Sequence, residues 1–291
     1  ALTVAGFDPS SGAGTSRDLD TFFSLRVHGL SIPSCFVIQG PHGVTSVHPV
    51  SPEVIKGQIH ALTDHEVPDA IKIGVLLDGA ILSFIRPVIE NKPSIPVILD
   101  PVMKAKNGVP LMIPDGLEAL KAFMPLITIL TPNTDEAAVL CERPVRTVNE
   151  MKECADALLN KGLKAVVVKG GHLEGNPIDL FFDGTTFIEW ERRRIRSRAI
   201  HGTGCTFSSL LTAYMALGYP MNEAFTASEK RMDELLHGAY GLSSGGYAYI
   251  SSAARDHLAA ERWRVAQALT DTMVRLSLLN PVEFVPQVRM N

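Results

Sequence analysis

Short apolar runs alternate along this chain with longer segments of helical periodicity, and that alternation leaves few folds open. The runs fall at 2–6, 32–38, 69–74, 95–100, 126–131 and 164–169, and helical patterns between them fall at 14–28, 51–64, 78–91, 113–123 and 147–161. Strand and helix in strict succession predict a three-layer α/β/α architecture with a central, mostly parallel sheet. Pro96-Val97-Ile98-Leu99 and Ala165-Val166-Val167-Val168 are apolar at every position, as strands covered on both faces must be. The succession breaks near 177. There 178–182 and 186–190 flank Asp183-Gly184-Thr185, a hairpin signal that predicts an antiparallel edge. The chain then returns through 195–200 to a glycine turn and a helix carrying Phe207, Leu210, Leu211, Tyr214, Met215 and Leu217. Further helices are expected at 221–240 and, amphipathic, at 253–279.

With 291 residues, 46% of them hydrophobic, the chain suffices for one large domain with a substantial core. A net charge of −4 argues against nucleic acid as a partner. No apolar run approaches the roughly 20 residues of a membrane helix, and the start has no basic region leading into a long apolar stretch, so neither membrane nor signal peptide is expected. The chain opens at Ala1, within a probable strand and without Met, which suggests that a few residues precede it. Cys35, Cys141, Cys154 and Cys205 are scattered without CxxC spacing, which predicts neither a zinc site nor a disulfide framework. A cytoplasmic location is the simplest expectation, with Cys35, Cys141 and Cys154 as small core residues.

In open α/β sheets ligands bind beyond the carboxyl ends of the strands. In this chain those ends carry polar or flexible groups: Gly6-Phe7-Asp8-Pro9-Ser10-Ser11-Gly12-Ala13-Gly14, Gln39-Gly40, Gly74-Val75, Asp100-Pro101-Val102-Met103, Thr131-Pro132-Asn133-Thr134-Asp135-Glu136 and Lys169-Gly170-Gly171-His172. The turn His201-Gly202-Thr203-Gly204-Cys205-Thr206 opens a helix, so its backbone donors and the positive helix end converge on one spot suited to phosphate or a developing oxyanion. Cys205 lies within it, where a thiol is expected to ionise easily. Asp100, Asn133 and Glu136 offer oxygen ligands of the kind Mg²⁺ accepts alongside water and phosphate. Lys169 offers a point cation. Together they describe phosphoryl transfer from a nucleotide. There is no GxxxxGK[ST] loop, and Ser10-Ser11-Gly12-Ala13-Gly14 is too short for GxGxxG, so P-loop and dinucleotide-binding folds are disfavoured.

These segments, in this order, resemble the hydroxymethylpyrimidine and phosphomethylpyrimidine kinases of thiamine biosynthesis, in the ribokinase-like superfamily. The resemblance covers about residues 1–250. It implies ATP- and Mg²⁺-dependent phosphorylation of 4-amino-5-hydroxymethyl-2-methylpyrimidine and then of its monophosphate, by a homodimer. Carried over by position, Gly6, Asp18, Gln39, Val75 and Val102 would meet the pyrimidine, with Gln39 reading its amino and nitrogen edge. Asp100, Asn133, Glu136, Lys169 and Thr203 would meet ATP, Asp100 and Glu136 also holding the metal. Gly202, Gly204 and Cys205 would be catalytic, Cys205 standing where sugar kinases of the superfamily carry an Asp. The chain departs from the family pattern at Ser11, at Thr15-Ser16-Arg17 and at Ser244-Gly245-Gly246-Tyr247. Residues 284–291 resemble the opening of the thiamine-phosphate-synthase-type domain fused to some of these kinases. The expected division is therefore a kinase domain at 1–252 and a helix and tail at 253–291.

Two other functions fit the same residues: a pyridoxal kinase, and a non-catalytic pyrimidine-binding sensor. The remaining features have plainer readings. Arg17 is expected to face solvent. Arg192, Arg193, Arg194, Arg196 and Arg198 are expected to form a solvated strand edge. Asp8 is expected to cap its own loop. His172 and His201 suit either a phosphate or a structural turn.

Overall fold

Neighbouring side chains on the central strands enter different cores. In β5 (Val97–Leu99), Val97 and Leu99 join one apolar cluster and Ile98 another. In β7 (Ala165–Val168), Val166 and Val168 join the first cluster, Ala165 and Val167 the second. Every position on such a strand is buried, hence the unbroken apolar runs. The computed structural model describes residues 1–40, 42–64, 67–194, 200–241 and 246–250. The chain divides into Ala1–Ser251 and Ser252–Asn291. The second unit, with the helix expected at 253–279 and the tail at 284–291, lies outside the described residues, as do 195–199 of the expected return.

The other strands are β1 (Leu2–Phe7), β2 (Leu30–Gly40), β3 (Gly43–Pro49), β4 (Ile71–Ile73), β6 (Ile129–Leu130), β8 (Ile178–Phe182) and β9 (Phe187–Glu191). They form one nine-stranded sheet in the order β3-β2-β1-β4-β5-β6-β7-β8-β9. Pairing is parallel from β2 across to β7 and antiparallel at β2–β3, β7–β8 and β8–β9. The expected hairpin is therefore present, and the Phe182 and Phe187 rings stack beside its turn at 3.9 Å. One face carries α2 (Pro52–Thr63), α3 (Ala80–Asn91), α4 (Pro114–Phe123), α5 (Thr134–Cys141) and α6 (Val148–Leu159). The other carries α7 (Thr203–Ala216) and α8 (Met221–His237), with α1 (Gly14–Ser24) packed against α7 through Phe22 and Ala213. A small second sheet joins β10 (Ile200–His201), β12 (Ala248–Tyr249) and β11 (Tyr240–Gly241). Strand order reverses at β1, with β2 on one side and β4 on the other. That is the switch point where an open α/β sheet leaves a crevice.

The short strands β11 and β12 escape the sequence pattern, and so do two longer elements. β3, Gly-Val-Thr-Ser-Val-His-Pro, is a polar edge strand with little apolar signal. α5 is only eight residues long, though its capping box is visible as Asn133-Thr134-Asp135-Glu136: Asn133 Oδ1 accepts from the Glu136 amide at 2.9 Å, and Glu136 Oε2 accepts from the Asn133 amide at 2.8 Å.

Three expectations need correction. Cys141 and Cys154 form a disulfide, because α5 and α6 pack together and bring their Cα atoms to 5.9 Å. Sequence spacing does not reveal that approach; Cys35 is buried and free, as expected. Arg17 is buried, held by Asp20 at 2.6 Å and by the carbonyl of Ser11 at 2.8 Å. Arg192 is the hub of a partly buried cluster: it donates to Asp233 at 2.8 Å, to Asp179 at 3.0 Å and to Glu229. A run of arginines looks solvated in sequence, but this one meets three acids contributed by β8 and α8.

Beneath the crevice, the buried Lys72 pairs with the buried Asp18. Asp18 also accepts from Thr3 and Ser209, each at 2.6 Å. Breaking a buried pair from one side strands a charge, which costs about 3–5 kcal/mol, against about 0.2–1 kcal/mol for an exposed pair. Lys72→Met is therefore expected to lower the free energy of urea unfolding by about 3–5 kcal/mol. Arg86→Ala, which breaks the exposed Arg86–Glu90 pair, is expected to stay within about 1 kcal/mol. Equal midpoints for the two variants would refute the claim that the Lys72–Asp18 pair holds this region.

Candidate active site

A cavity of about 560 Å³ opens at the carboxyl ends of β1, β2, β4, β5, β6 and β7, within the range of small-molecule sites. Of the residues expected to act, the structure brings Gly6, Gln39, Val75, Val102, Asp100, Asn133, Glu136, Lys169, Gly202, Thr203, Gly204 and Cys205 into its wall. Asp18 is not in that wall. It lies fully buried on α1, occupied by Lys72, Thr3 and Ser209, and Lys72 is the member of that group that reaches the cavity. Lys72 stands in the segment Lys72-Ile73-Gly74 that contributes to the family resemblance but was given no role from the sequence, yet a signal was present: a charged residue inside the apolar run Ala70-Ile71-Lys72-Ile73 requires a buried partner.

At the floor, Lys169 donates to Asp100 Oδ1 at 2.7 Å, and Asp100 also accepts from Thr131 at 3.3 Å and Ser208 at 3.4 Å. Asp179 holds the turn after Lys169 by accepting from the Gly170 amide at 2.8 Å, so the Arg192 cluster braces the cavity floor. Burial alone would push the Lys169 ammonium down, but Asp100 and Glu136 outweigh it and hold its pKa above the ordinary value. Burial raises the Glu136 carboxyl to about 7; Lys169 opposes the rise and Asp100 adds to it.

Above the floor, α7 starts at the glycine turn. Gly202 has φ +76, and a Cβ there would lie 1.7 Å from the carbonyl oxygen of Gly12, so only glycine permits this contact between the two loops. A Cβ on Gly204 would stand 3.2 Å from Lys169 Nζ and 3.6 Å from Asp100 Oδ2. The positive end of α7 thus faces the Lys169–Asp100 pair across a gap that glycine keeps open. Cys205 follows. Its expected easy ionisation is corrected: burial pushes the thiol up, Lys72 offsets part of that, and Asp18 and Asp100 add to it. A helix N-terminus favours a thiolate only where enough solvent remains to hydrate it.

The third wall is polar. Asp8 caps its own loop as expected, accepting from the amides of Ser10 at 2.8 Å and Ala13 at 2.9 Å. It also reaches out of the loop: Gln39 Nε2 donates to it at 2.9 Å, and His201 Nε2 lies 3.1 Å from it and 2.6 Å from Gln39 Nε2. His201 stacks on Tyr247 with ring centroids 5.4 Å apart. His172 is exposed and pairs with Asp135 at 2.9 Å.

No cluster of three or more ligating side chains lies among the described residues. Asp100 and Glu136 both line the cavity, and two carboxylates offer the hard oxygen donors that a cation such as Mg²⁺ accepts alongside phosphate and water. No helix among them is long and apolar enough to cross a membrane.

A three-layer α/β/α architecture whose cavity is met by a helix N-terminus at the strand ends is that of the ribokinase-like class. The sequence pattern of the phosphomethylpyrimidine kinases matches residues 8–248, and the chain belongs to that family. It is 32% identical to the hydroxymethylpyrimidine/phosphomethylpyrimidine kinase of Aquifex aeolicus, over 84% of this chain and 97% of that one. It is 34% identical to the thiamine biosynthesis multifunctional protein ThiED of Corynebacterium efficiens, over 90% of this chain and 35% of that longer protein. In structure it is similar to the ADP complex of Bacillus subtilis pyridoxal kinase, with a TM-score of 0.79, 31% identity, and coverage of 88% of this chain and 97% of that one.

The raised Glu136 carboxyl carries a prediction about stability. Between its free value of 4.5 and about 7 the folded chain binds a proton that the unfolded chain has released, so stability falls as pH rises through that window. The loss is on the order of 3 kcal/mol. Glu136→Gln keeps an acceptor for the Asn133 amide but has no proton to lose. Its melting temperature is expected to vary less between pH 5 and 7.5 than that of the wild type; parallel curves would refute the assignment.

Proposed function

We propose that this protein transfers the terminal phosphoryl group of ATP to the hydroxymethyl group of 4-amino-5-hydroxymethyl-2-methylpyrimidine, and then phosphorylates the monophosphate to the diphosphate. The observation that carries the reading is the N-terminus of α7 facing Lys169 and Asp100 in one cavity whose far wall is Gln39. Phosphoryl transfer is mostly positioning and electrostatics, and this cavity is built for both.

In this reading Lys169 and the amides of Gly202, Thr203, Gly204 and Cys205 balance charge on the transferred group. Asn133 and Thr203 line the ATP side. Asp100 and Glu136 would hold Mg²⁺ alongside the phosphates, and the ion would supply charge neutralisation there. Gly6, Val75, Val102 and Gln39 pack and orient the ring. Asp18 takes no direct part: it holds Lys72, whose ammonium stands close enough to favour the Cys205 thiolate. Cys205 accepts the hydroxyl proton, and its raised pKa makes the thiolate a stronger base once formed. The expected division, a kinase domain at 1–252 followed by a connector at 253–291, belongs to the same proposal.

The test is ATP turnover with Mg²⁺ and the pyrimidine, with products resolved by mass. Mono- and diphosphate products are expected. A second reading, phosphorylation of pyridoxal, draws on the likeness to pyridoxal kinase; turnover of pyridoxal with none of the pyrimidine would replace the first reading. Cys205→Ala is expected to reduce kcat by about 10²–10⁴-fold while ADP still binds. It is also expected to abolish a rise in kcat above neutral pH, which the wild type shows because its thiol titrates late. Full turnover by that variant removes the base role.

We also propose a homodimer. The exposed apolar patch of Phe7, Phe36 and Ile38 supports it, with the two rings in edge contact at 5.9 Å. Sedimentation is expected to give twice the chain mass, and Phe36→Glu to give the monomer. A monomeric wild type overturns this part.

A further inference from the structure

Of the arginines that follow β9, Arg192 meets three acids, whereas Arg194 meets none among the described residues. All three nitrogens of its guanidinium donate instead to main-chain carbonyls of one short segment: Nε to Gly175 at 2.6 Å, Nη1 to Gly171 at 3.1 Å, and Nη2 to Leu173. The backbone amide of Arg194 donates to Asn176 Oδ1 at 3.4 Å, and Asn176 Nδ2 donates to Glu191 at 2.8 Å, which seats Arg194 against the same segment. One planar fork thus gathers three carbonyls. A lysine carries the same charge as a single flexible point and has no fork to match them.

The gathered segment is the loop that follows Lys169. Its near end is fixed by other groups: the Lys169 amide donates to the Pro132 carbonyl at 2.8 Å, and Asp179, held by Arg192 at 3.0 Å, accepts from the Gly170 amide at 2.8 Å. Further on, His172 meets Asp135 of α5 at 2.9 Å, and both residues line the cavity. In a trans peptide the carbonyl and the N–H that follows it point opposite ways. Turning the Gly171 carbonyl onto Arg194 therefore turns the His172 amide away from it. Among the described residues, neither that amide nor the amide of Gly171 donates to a protein acceptor. A Cβ on Gly171 would meet nothing within 4 Å. Two consecutive open amides, on a loop that joins the cavity-wall residues Lys169 and His172, are the kind of backbone donors that bind anions.

We propose that Arg194 is a positioning residue for the nucleotide: by gathering the carbonyls of Gly171, Leu173 and Gly175 it holds the loop after Lys169 with its open amides available to phosphate, and so sets the affinity of the cavity for nucleoside di- and triphosphates without touching them. This rests on the proposed reading that Lys169 meets the phosphates of ATP. Arg194 makes no hydrogen bond to Gly6, Gln39, Val75 or Val102, so its effect on the nucleotide separates from any effect on the pyrimidine.

The test measures the affinities of ADP and of the pyrimidine by calorimetry, and the KM of ATP and of the pyrimidine in turnover, for the wild type, Arg194→Ala and Arg194→Lys. Arg194→Ala is expected to weaken ADP and to raise the KM of ATP by about 3- to 30-fold, with pyrimidine affinity and kcat near the wild-type values. Arg194→Lys is expected to be as impaired as Arg194→Ala. Recovery in Arg194→Lys would mean that positive charge alone attracts the nucleotide, and would overturn the inference. ADP and pyrimidine weakened alike, or kcat lost with the KM of ATP unchanged, would mean that Arg194 only supports the fold, and would overturn it too. If Arg194→Ala does not melt cooperatively, Arg194→Lys decides on the same readouts. A wild type that does not bind ADP refutes the nucleotide reading and this inference with it; one that binds ADP, with unaltered affinity in both variants, refutes this inference alone.

Discussion

The central strands are covered on both faces, and the rest of the molecule follows from that. A strand whose alternate side chains enter two apolar cores has no face left for chemistry. Val97, Ile98 and Leu99, or Ala165 through Val168, do nothing but pack. Polar groups are displaced to the strand ends, where the backbone leaves the sheet and the helices have not yet closed over it. The reversal of strand order at β1 then holds neighbouring connections apart, and the cavity occupies the space between them. Asp100 and Lys169 sit one residue past their strands, the first position outside the run of core residues, and Gln39 is the last residue but one of β2.

Charge in such a place must be balanced within the protein. Two buried or half-buried cations, Lys72 and Lys169, are each matched by a carboxylate, Asp18 and Asp100. The Arg192 cluster braces the turn behind Lys169 through Asp179. These pairs add little net stability compared with apolar packing. Their effect is to hold ammonium groups at set points around the helix end of α7, where the proposed phosphoryl transfer requires positive charge. The same dry surroundings that strengthen those charges push the Cys205 thiol and the Glu136 carboxyl up. One environment thus sets both the electrostatics of the floor and the late ionisation of the proposed base.

Much of this was legible in the residues. The βα succession, the antiparallel hairpin at 178–190, the glycine turn at 202–204 and the strand-end positions of Asp100, Asn133 and Lys169 all stood in the sequence, because each depends on local pattern or on adjacency to a strand. What was not legible depends on approach between distant segments. Arg17 and Arg192 look like surface charges until the acids that meet them are placed. Cys141 and Cys154 look unrelated until α5 and α6 pack side by side. Asp18 is a ligand residue by position in the family pattern, but α1 turns it inward onto Lys72.

By itself, then, the sequence determined the class of fold, the family and the strand-end and glycine-turn part of the cavity wall, since periodicity and glycine placement act over a few residues and survive without tertiary information; the wall contributed by residues 104–108 and Leu111 was not among its readings. Only the tertiary structure decided how the polar groups share their hydrogen bonds: that Asp8, Gln39 and His201, separated by 31 and 162 residues, converge on one amide, and that Lys72 rather than Asp18 faces the cavity. Hydrogen-bond partners are assigned by distance in space, and the sequence carries no measure of that distance.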